Sequence, residues 1–192
     1  MHNLKETLNR DDVGPIIRRF FINTLFDSTF MLLGIIVGAA FTADTSLGVV
    51  LITMLTSSLA LGISTGVSVY EAESLERERK ISELEKALFR SLSGTRIEKS
   101  AKSIIILTAL INFSTPLLSC AVTILPFILA ASKILEVTVA SWFSVILALG
   151  TLFSAGVYMG RLGKKNPWTK GLRMAAFGFV AFIIGFLLNT LV

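Results

Sequence analysis

The stretch FFINTLFDSTFMLLGIIVGAAF, residues 20–41, is long and apolar enough to cross a bilayer, yet it carries a carboxylate, Asp27, a third of the way along. The hydrocarbon core, about 30 Å thick, takes about 20 helical residues. With a rise of about 1.5 Å per residue, Asp27 falls about 10 Å in from the end that begins at Phe20. A charge at that depth costs about 2.5 kcal/mol or more unless it is paired or hydrated, so a buried structural carboxylate is the rarer explanation and a functional one the first expectation. Asn23, one helical turn earlier, is placed to orient it.

Four further segments, 46–70, 103–131, 138–160 and 172–192, have the length and composition of membrane spans. Over all 192 residues, 53% are hydrophobic and the mean hydropathy is +0.75, well outside the range of a soluble domain of this size. Lipid offers the backbone no hydrogen-bond partners, so each span is expected to be a helix. The expected fold is an all-α membrane protein with five transmembrane helices. Its organisation reads as a surface segment at 1–19, two spans within 20–70, a charged segment at 71–102 and three spans within 103–192. The first segment lacks the apolar core and cleavage site of a secretory signal, so the whole chain is expected in the mature protein, with a surface helix before the first span.

Charge sorts by loop. Lys and Arg number four before the first span, eight between the second and third and five around the fourth connection, while Lys133 stands alone on the other side. The positive-inside rule therefore predicts a cytoplasmic N-terminus and an external C-terminus; the cell membrane of a prokaryote is the expected location. The external connections, 42–45 and 132–137, are too short for a receptor domain. The basic residues do not form an aromatic-interleaved patch, which argues against nucleic acid as a partner. A lone histidine, His2, and a lone cysteine, Cys120 in an apolar run, leave no nucleophile with a base and no thiolate cluster, so an enzyme is not expected. No permanently bound cofactor is expected either.

Other polar residues fall at depths like that of Asp27: Thr65, flanked by Ser64 and Ser68, on the second span, Asn112 on the third and Ser154 on the fourth, with Ser57 two turns from Thr65. They are candidates for a polar layer lining a path; the alternative for each hydroxyl is a bond to a carbonyl one turn earlier. Pro116 and Pro126 are expected to bend the third span. Gly34 and Gly38, Gly62 and Gly66, and Gly156 and Gly160 repeat at four residues, a spacing that permits close helix packing or a dimer seam.

Past the second span, EAESLERERKISELEKALFR strongly favours helix and is expected to prolong that span into the cytoplasm, with Ser93, Gly94 and Thr95 as its stop. Glu73 and Glu76 share a face and are candidate ligands for a hard divalent cation. The competing reading pairs Glu73 with Arg77, Glu76 with Lys80 and Arg79 with Glu83 as surface ion pairs.

Several stretches together resemble the vacuolar iron transporter family. FDSTFMLLGIIVGAAF is similar to the family's first-span segment, which puts Asp27 on its pore carboxylate. GISTGVSVYEAESLE matches the second-span pattern at Ile63, Ser64, Gly66, Tyr70, Ala72 and Glu76. ILPFIL resembles the paired-proline segment through Pro126, and GRLGKKNPWTKGLRM resembles the loop into the last helix. The departures are Thr65 in place of the pore methionine, Ser57 in place of a membrane glutamate, Thr123 in place of the first proline, and a single long helix in place of a larger metal-binding insert.

The resemblance implies a five-span homodimer that exports a divalent cation of the iron or manganese type in exchange for protons. Asp27, Asn23, Ser57, Thr65 and Asn112 would lie along the path, and Asp27, Glu73 and Glu76 would meet the metal. The other expectation is a non-transporting membrane adaptor of the same fold, whose charged helix binds a partner or a lipid surface.

Overall fold

The computed structural model describes residues 13–41, 46–163 and 166–191, and among them every regular element is helical. The surface segment expected at 1–19 lies outside this description up to residue 12, as do the 42–45 connection and Lys164 and Lys165. Helix α1 covers Val13–Ile35 and continues as a π-helical turn, Ile36–Ala40; α2 covers Leu47–Leu88, α3 Arg96–Ala131, α4 Val137–Leu162 and α5 Pro167–Leu191. All five are long and apolar enough to cross a membrane, as the five apolar segments require. At 42 residues α2 is about twice the length a bilayer needs, and its charged residues, from Glu71 to Lys86, all fall in its second half.

The end of α2 differs from expectation. The helix stops at Leu88 because Phe89 takes a left-handed conformation, φ 48°, and the Arg90 amide donates to the Glu85 carbonyl at 3.2 Å. This is the six-to-one bond of a Schellman cap, made with phenylalanine where glycine is usual. Lys133 closes α3 in the same way, with the Ile134 amide on the Leu129 carbonyl. Gly94, φ 74°, lies in the turn that leads into α3.

The chain divides into two compact units, 1–24 with 61–115 and 25–60 with 116–192. The second has an apolar core of Leu32, Leu33, Ile36, Met54, Phe127 and Leu152, each at most 1% exposed. Within it α4 and α5 pack along each other with the π turn against both, and Asn189 of α5 donates to the Val37 carbonyl in that turn at 2.8 Å. Close contact between α4 and α5 depends on glycine: a Cβ at Gly156 would stand 2.8 Å from the Gly171 Cα. Phe41 and Trp142 meet edge to face at 5.1 Å, beside Phe182.

The first unit buries Ile104 and Ile105 together with polar groups, among them Thr108 and Asn112 at 0% exposure. Here α2 meets α3 through Gly62 and Gly66, where a Cβ would lie 2.6 Å from the Phe113 carbonyl oxygen and 3.0 Å from the Phe113 Cβ. A backbone carbonyl cannot rotate aside. Gly62→Ala is therefore expected to lose about 1–3 kcal/mol of stability, whereas Gly150→Ala, with nothing within 4 Å, should lose none. Thermal unfolding of the two variants in detergent checks the difference.

Candidate functional site

Proline at 116 removes the amide that would have bonded the Asn112 carbonyl. Thr65 supplies a replacement: its hydroxyl lies 3.2 Å from that oxygen, sharing one proton with the Leu61 and Gly62 carbonyls at 2.8 and 3.3 Å. The close approach at Gly62 is what brings Thr65 there. The Asn112 side chain is also engaged, accepting from the Thr24 hydroxyl at 2.6 Å and donating to the Thr108 carbonyl at 2.8 Å. Thr65 and Asn112 thus meet in an interior hydrogen-bond network that includes Thr24.

In the second unit the same chemistry recurs. Ser28 and Ser119 share a hydrogen bond of 2.9 Å, and the Ser144 hydroxyl donates to the Thr123 carbonyl at 2.6 Å. These residues are at most 2% exposed. Thr24, Ser28, Ser119 and Ser144 were not singled out in the sequence. The signal was present on α3, where Thr108, Asn112, Thr115, Ser119 and Thr123 repeat at intervals of three or four residues and therefore share one face.

Asp27 and Asn23 lie elsewhere. Both are exposed on α1, one turn apart, and neither forms a hydrogen bond or ion pair among the described residues. The exposed positions of α1 and its π turn are Pro15, Arg19, Asn23, Asp27, Gly34 and Gly38, spaced so that they trace one face. A Cβ at Gly34 would meet nothing within 4 Å. No large apolar side chain is exposed on this element among its described residues, whereas α2 exposes Ile52, Leu55, Leu59, Ile63 and Val67. Beside that apolar face, α2 also exposes a row of small residues at four-residue spacing, Thr56, Ala60, Ser64 and Ser68. Ser57 is half-buried and Ser154 exposed.

At the charged end of α2 all three expected ion pairs form: Glu73 with Arg77 at 3.5 Å, Glu76 with Lys80 at 3.3 Å and Arg79 with Glu83 at 3.1 Å. The last two are exposed and contribute little stability. The first is largely buried, and its geometry falls short of a hydrogen bond, so among the described residues Glu73 Oε2 and Arg77 Nε and Nη2 have no hydrogen-bond partner. Glu73 and Glu76 thus each face a basic side chain one turn on, and among the described residues no three carboxylate, histidine or cysteine side chains converge as metal ligands. Beyond the turn, Glu98 accepts from the Gly94 amide and from Lys102, both at 2.7 Å. The Lys102 bond foremost, with the Gly94 amide, holds the Glu98 carboxyl below its ordinary pKa, and the same bond holds Lys102 above its own.

No family model matches the chain. Among curated proteins, an uncharacterized protein of Methanocaldococcus jannaschii is 26% identical over 190 residues, which cover 97% of this chain and 95% of that one.

The interior network makes a stability prediction separate from any activity. Thr24→Val leaves the buried Asn112 Oδ1 without its donor and is expected to cost about 1–3 kcal/mol. Ser154→Ala, at an exposed hydroxyl, should unfold at the wild-type temperature in the same detergent.

Proposed function

We propose that the protein is a homodimeric transporter of a divalent cation of the iron or manganese type, with the exposed face of α1 as the wall of its path. One observation carries the reading: α1 exposes an arginine, an asparagine, an aspartate and two glycines, and no large apolar side chain. Lipid is a poor neighbour for such a face, since a carboxylate within a span costs about 2.5 kcal/mol or more there. A second copy would cover it. Gly34 and the small-residue row on α2 suit a close helix seam, and a two-fold seam sets the same face of one copy against that of the other.

In that arrangement Asp27 is the ion-binding carboxylate and Asn23, one turn away, a neutral oxygen ligand beside it. Proton coupling follows from the same group, because a desolvated carboxylate holds a proton or shares a cation's charge, and the two states exclude each other. Cation leaves the cytosol, on which side the charge asymmetry puts the N-terminus and the charged end of α2. The likeness of residues 26–41 and 62–76 to the vacuolar iron transporters supports this reading. Thr65 and Asn112 are held by their own hydrogen bonds in the packing of α2 against α3.

Purified protein in liposomes, loaded on one side with Fe²⁺ or Mn²⁺, tests the proposal. Wild type is expected to carry the metal with counterflow of protons, and Asp27→Asn to lose transport by on the order of a hundredfold while unfolding normally. Unchanged flux in that variant would sink the reading. Gly34→Leu is expected to shift the purified protein from dimer toward monomer in light scattering, because the seam no longer closes.

A second reading, a non-transporting adaptor, draws on the tip of α2, where Leu88 is 59% exposed and Phe89 97%. It takes over if the liposomes show no flux, calorimetry detects no metal binding, and the charged end of α2 retrieves one specific protein whose capture is lost in Phe89→Ala.

A further inference from the structure

Residues 161–173, RLGKKNPWTKGLR, hold five basic side chains, Arg161, Lys164, Lys165, Lys170 and Arg173, and no acidic one. The other 13 Lys and Arg are equalled in number by the 13 Asp and Glu, all outside this segment, so the net charge of +5 belongs to it. No acidic residue occurs anywhere from 137 to 192. The connection between α2 and α3 differs: the basic residues of 71–102 are interspersed with seven glutamates, four of which form ion pairs.

Arg161 lies in the last turn of α4, and Lys170 and Arg173 lie in the first two turns of α5. Arg161 and Arg173 are exposed and Lys170 is half-buried, and among the described residues none of the three has a side-chain hydrogen bond or an ion pair. Lys170 reaches back toward the end of α4, its Nζ 3.6 Å from where a Cβ on Gly163 would stand. The Arg173 guanidinium lies 5.7 Å from the centre of the Phe177 ring, one turn further into the apolar segment 172–192. The start of a helix carries partial positive charge. Lys170 and Arg173 therefore stand against the field of α5, and its first turn has no acidic residue to offset them. An anion from outside the chain would offset both. Beside them Trp168 is 70% exposed, its ring 5.9 Å from Phe153 of α4, and Tyr158 of α4 is half exposed. Exposed Trp and Tyr at the end of a span take the head-group level of a bilayer. Since α4 and α5 are both long and apolar enough to cross a membrane, the surface that adjoins these cations is the bilayer's own.

We infer that the connection between α4 and α5 binds anionic phospholipid. Head groups of net negative charge meet Arg161, Lys170 and Arg173, and Trp168 packs against the glycerol and upper acyl region. Guanidinium suits phosphate through paired, charge-assisted hydrogen bonds. A zwitterionic head group brings its own cation to a surface that is already positive, and is disfavoured. The inference stands whether or not the protein transports metal.

The full-length protein is reconstituted into nanodiscs of equal phosphatidylglycerol and phosphatidylcholine, and the lipid it retains on release is read by native mass spectrometry. Phosphatidylglycerol is expected to be retained at least about fivefold over phosphatidylcholine, the contribution of one cation at an anionic surface. The preference should fall as salt is raised. The triple variant Arg161→Gln/Lys170→Gln/Arg173→Gln should retain the two lipids equally while unfolding at the wild-type temperature. Lys86→Gln/Arg90→Gln/Lys99→Gln removes the same number of exposed charges from the α2–α3 end and should keep the wild-type preference. Equal retention by wild type, a preference that survives the first triple variant, or an equal loss in the second overturns the inference. Displacement of phosphatidylglycerol by glycerophosphoglycerol at equal concentration also overturns it, because the occupant is then a soluble anion.

Discussion

In a bilayer, a polar group must find its partner within protein, because lipid supplies none. Most of this chain's folding follows from that demand. Pro116 opens a gap in the α3 hydrogen-bond ladder, and the Thr65 hydroxyl covers the stranded Asn112 carbonyl. Covering it requires α2 to come close, and the close approach requires glycine at 62 and 66. Three features that look unrelated in sequence, a proline, a threonine and a glycine pair, are one structural solution. On the π turn of α1, Asn189 does similar work for the Val37 carbonyl.

The features legible in the sequence were those that depend on one helix at a time. Span number and length follow from apolar run length, and the extension of α2 from its helix-favouring composition. The pairs Glu73 with Arg77, Glu76 with Lys80 and Arg79 with Glu83 need only the four-residue repeat. Depth was legible too, since rise per residue is fixed. The facing direction was not. Asn112 and Asp27 look alike when ranked by distance along their spans, yet one is fully buried and hydrogen-bonded and the other exposed. Rotation about a helix axis is set by packing partners that a single segment does not name. The α2 stop shows the same limit: Gly94 was the obvious breaker, but Phe89 adopts the left-handed cap. A non-glycine residue pays for that conformation by about 1–2 kcal/mol, so propensity alone points elsewhere.

The three glycine pairs sharpen the point. Gly62 and Gly66 admit Phe113, and Gly156 and Gly160 admit the start of α5. Gly34, with open space where a Cβ would stand, carries the same sequence signature without an internal neighbour. Its helix face also holds Asn23 and Asp27. Small-residue spacing specifies that something approaches closely. Whether the neighbour belongs to the same chain is decided by what the fold leaves uncovered.

A dimer built on that face changes what one carboxylate can do. Two-fold symmetry supplies every seam residue twice, so a chain with a single intramembrane acid presents two. Like charges brought together in a medium of low dielectric do not both stay ionised without a counterion. In the proposed dimer, such a pair would share the charge of a bound cation. Under this arrangement the methionine and glutamate replaced by Thr65 and Ser57 bear on which ion is chosen, because thioether favours softer metals and hydroxyl oxygens harder ones. They are not needed for exchange itself. A seam of aspartates and neutral oxygens would favour manganese-like or still harder cations over ferrous iron, and the order of Mn²⁺ and Fe²⁺ flux through the same liposomes measures that preference directly.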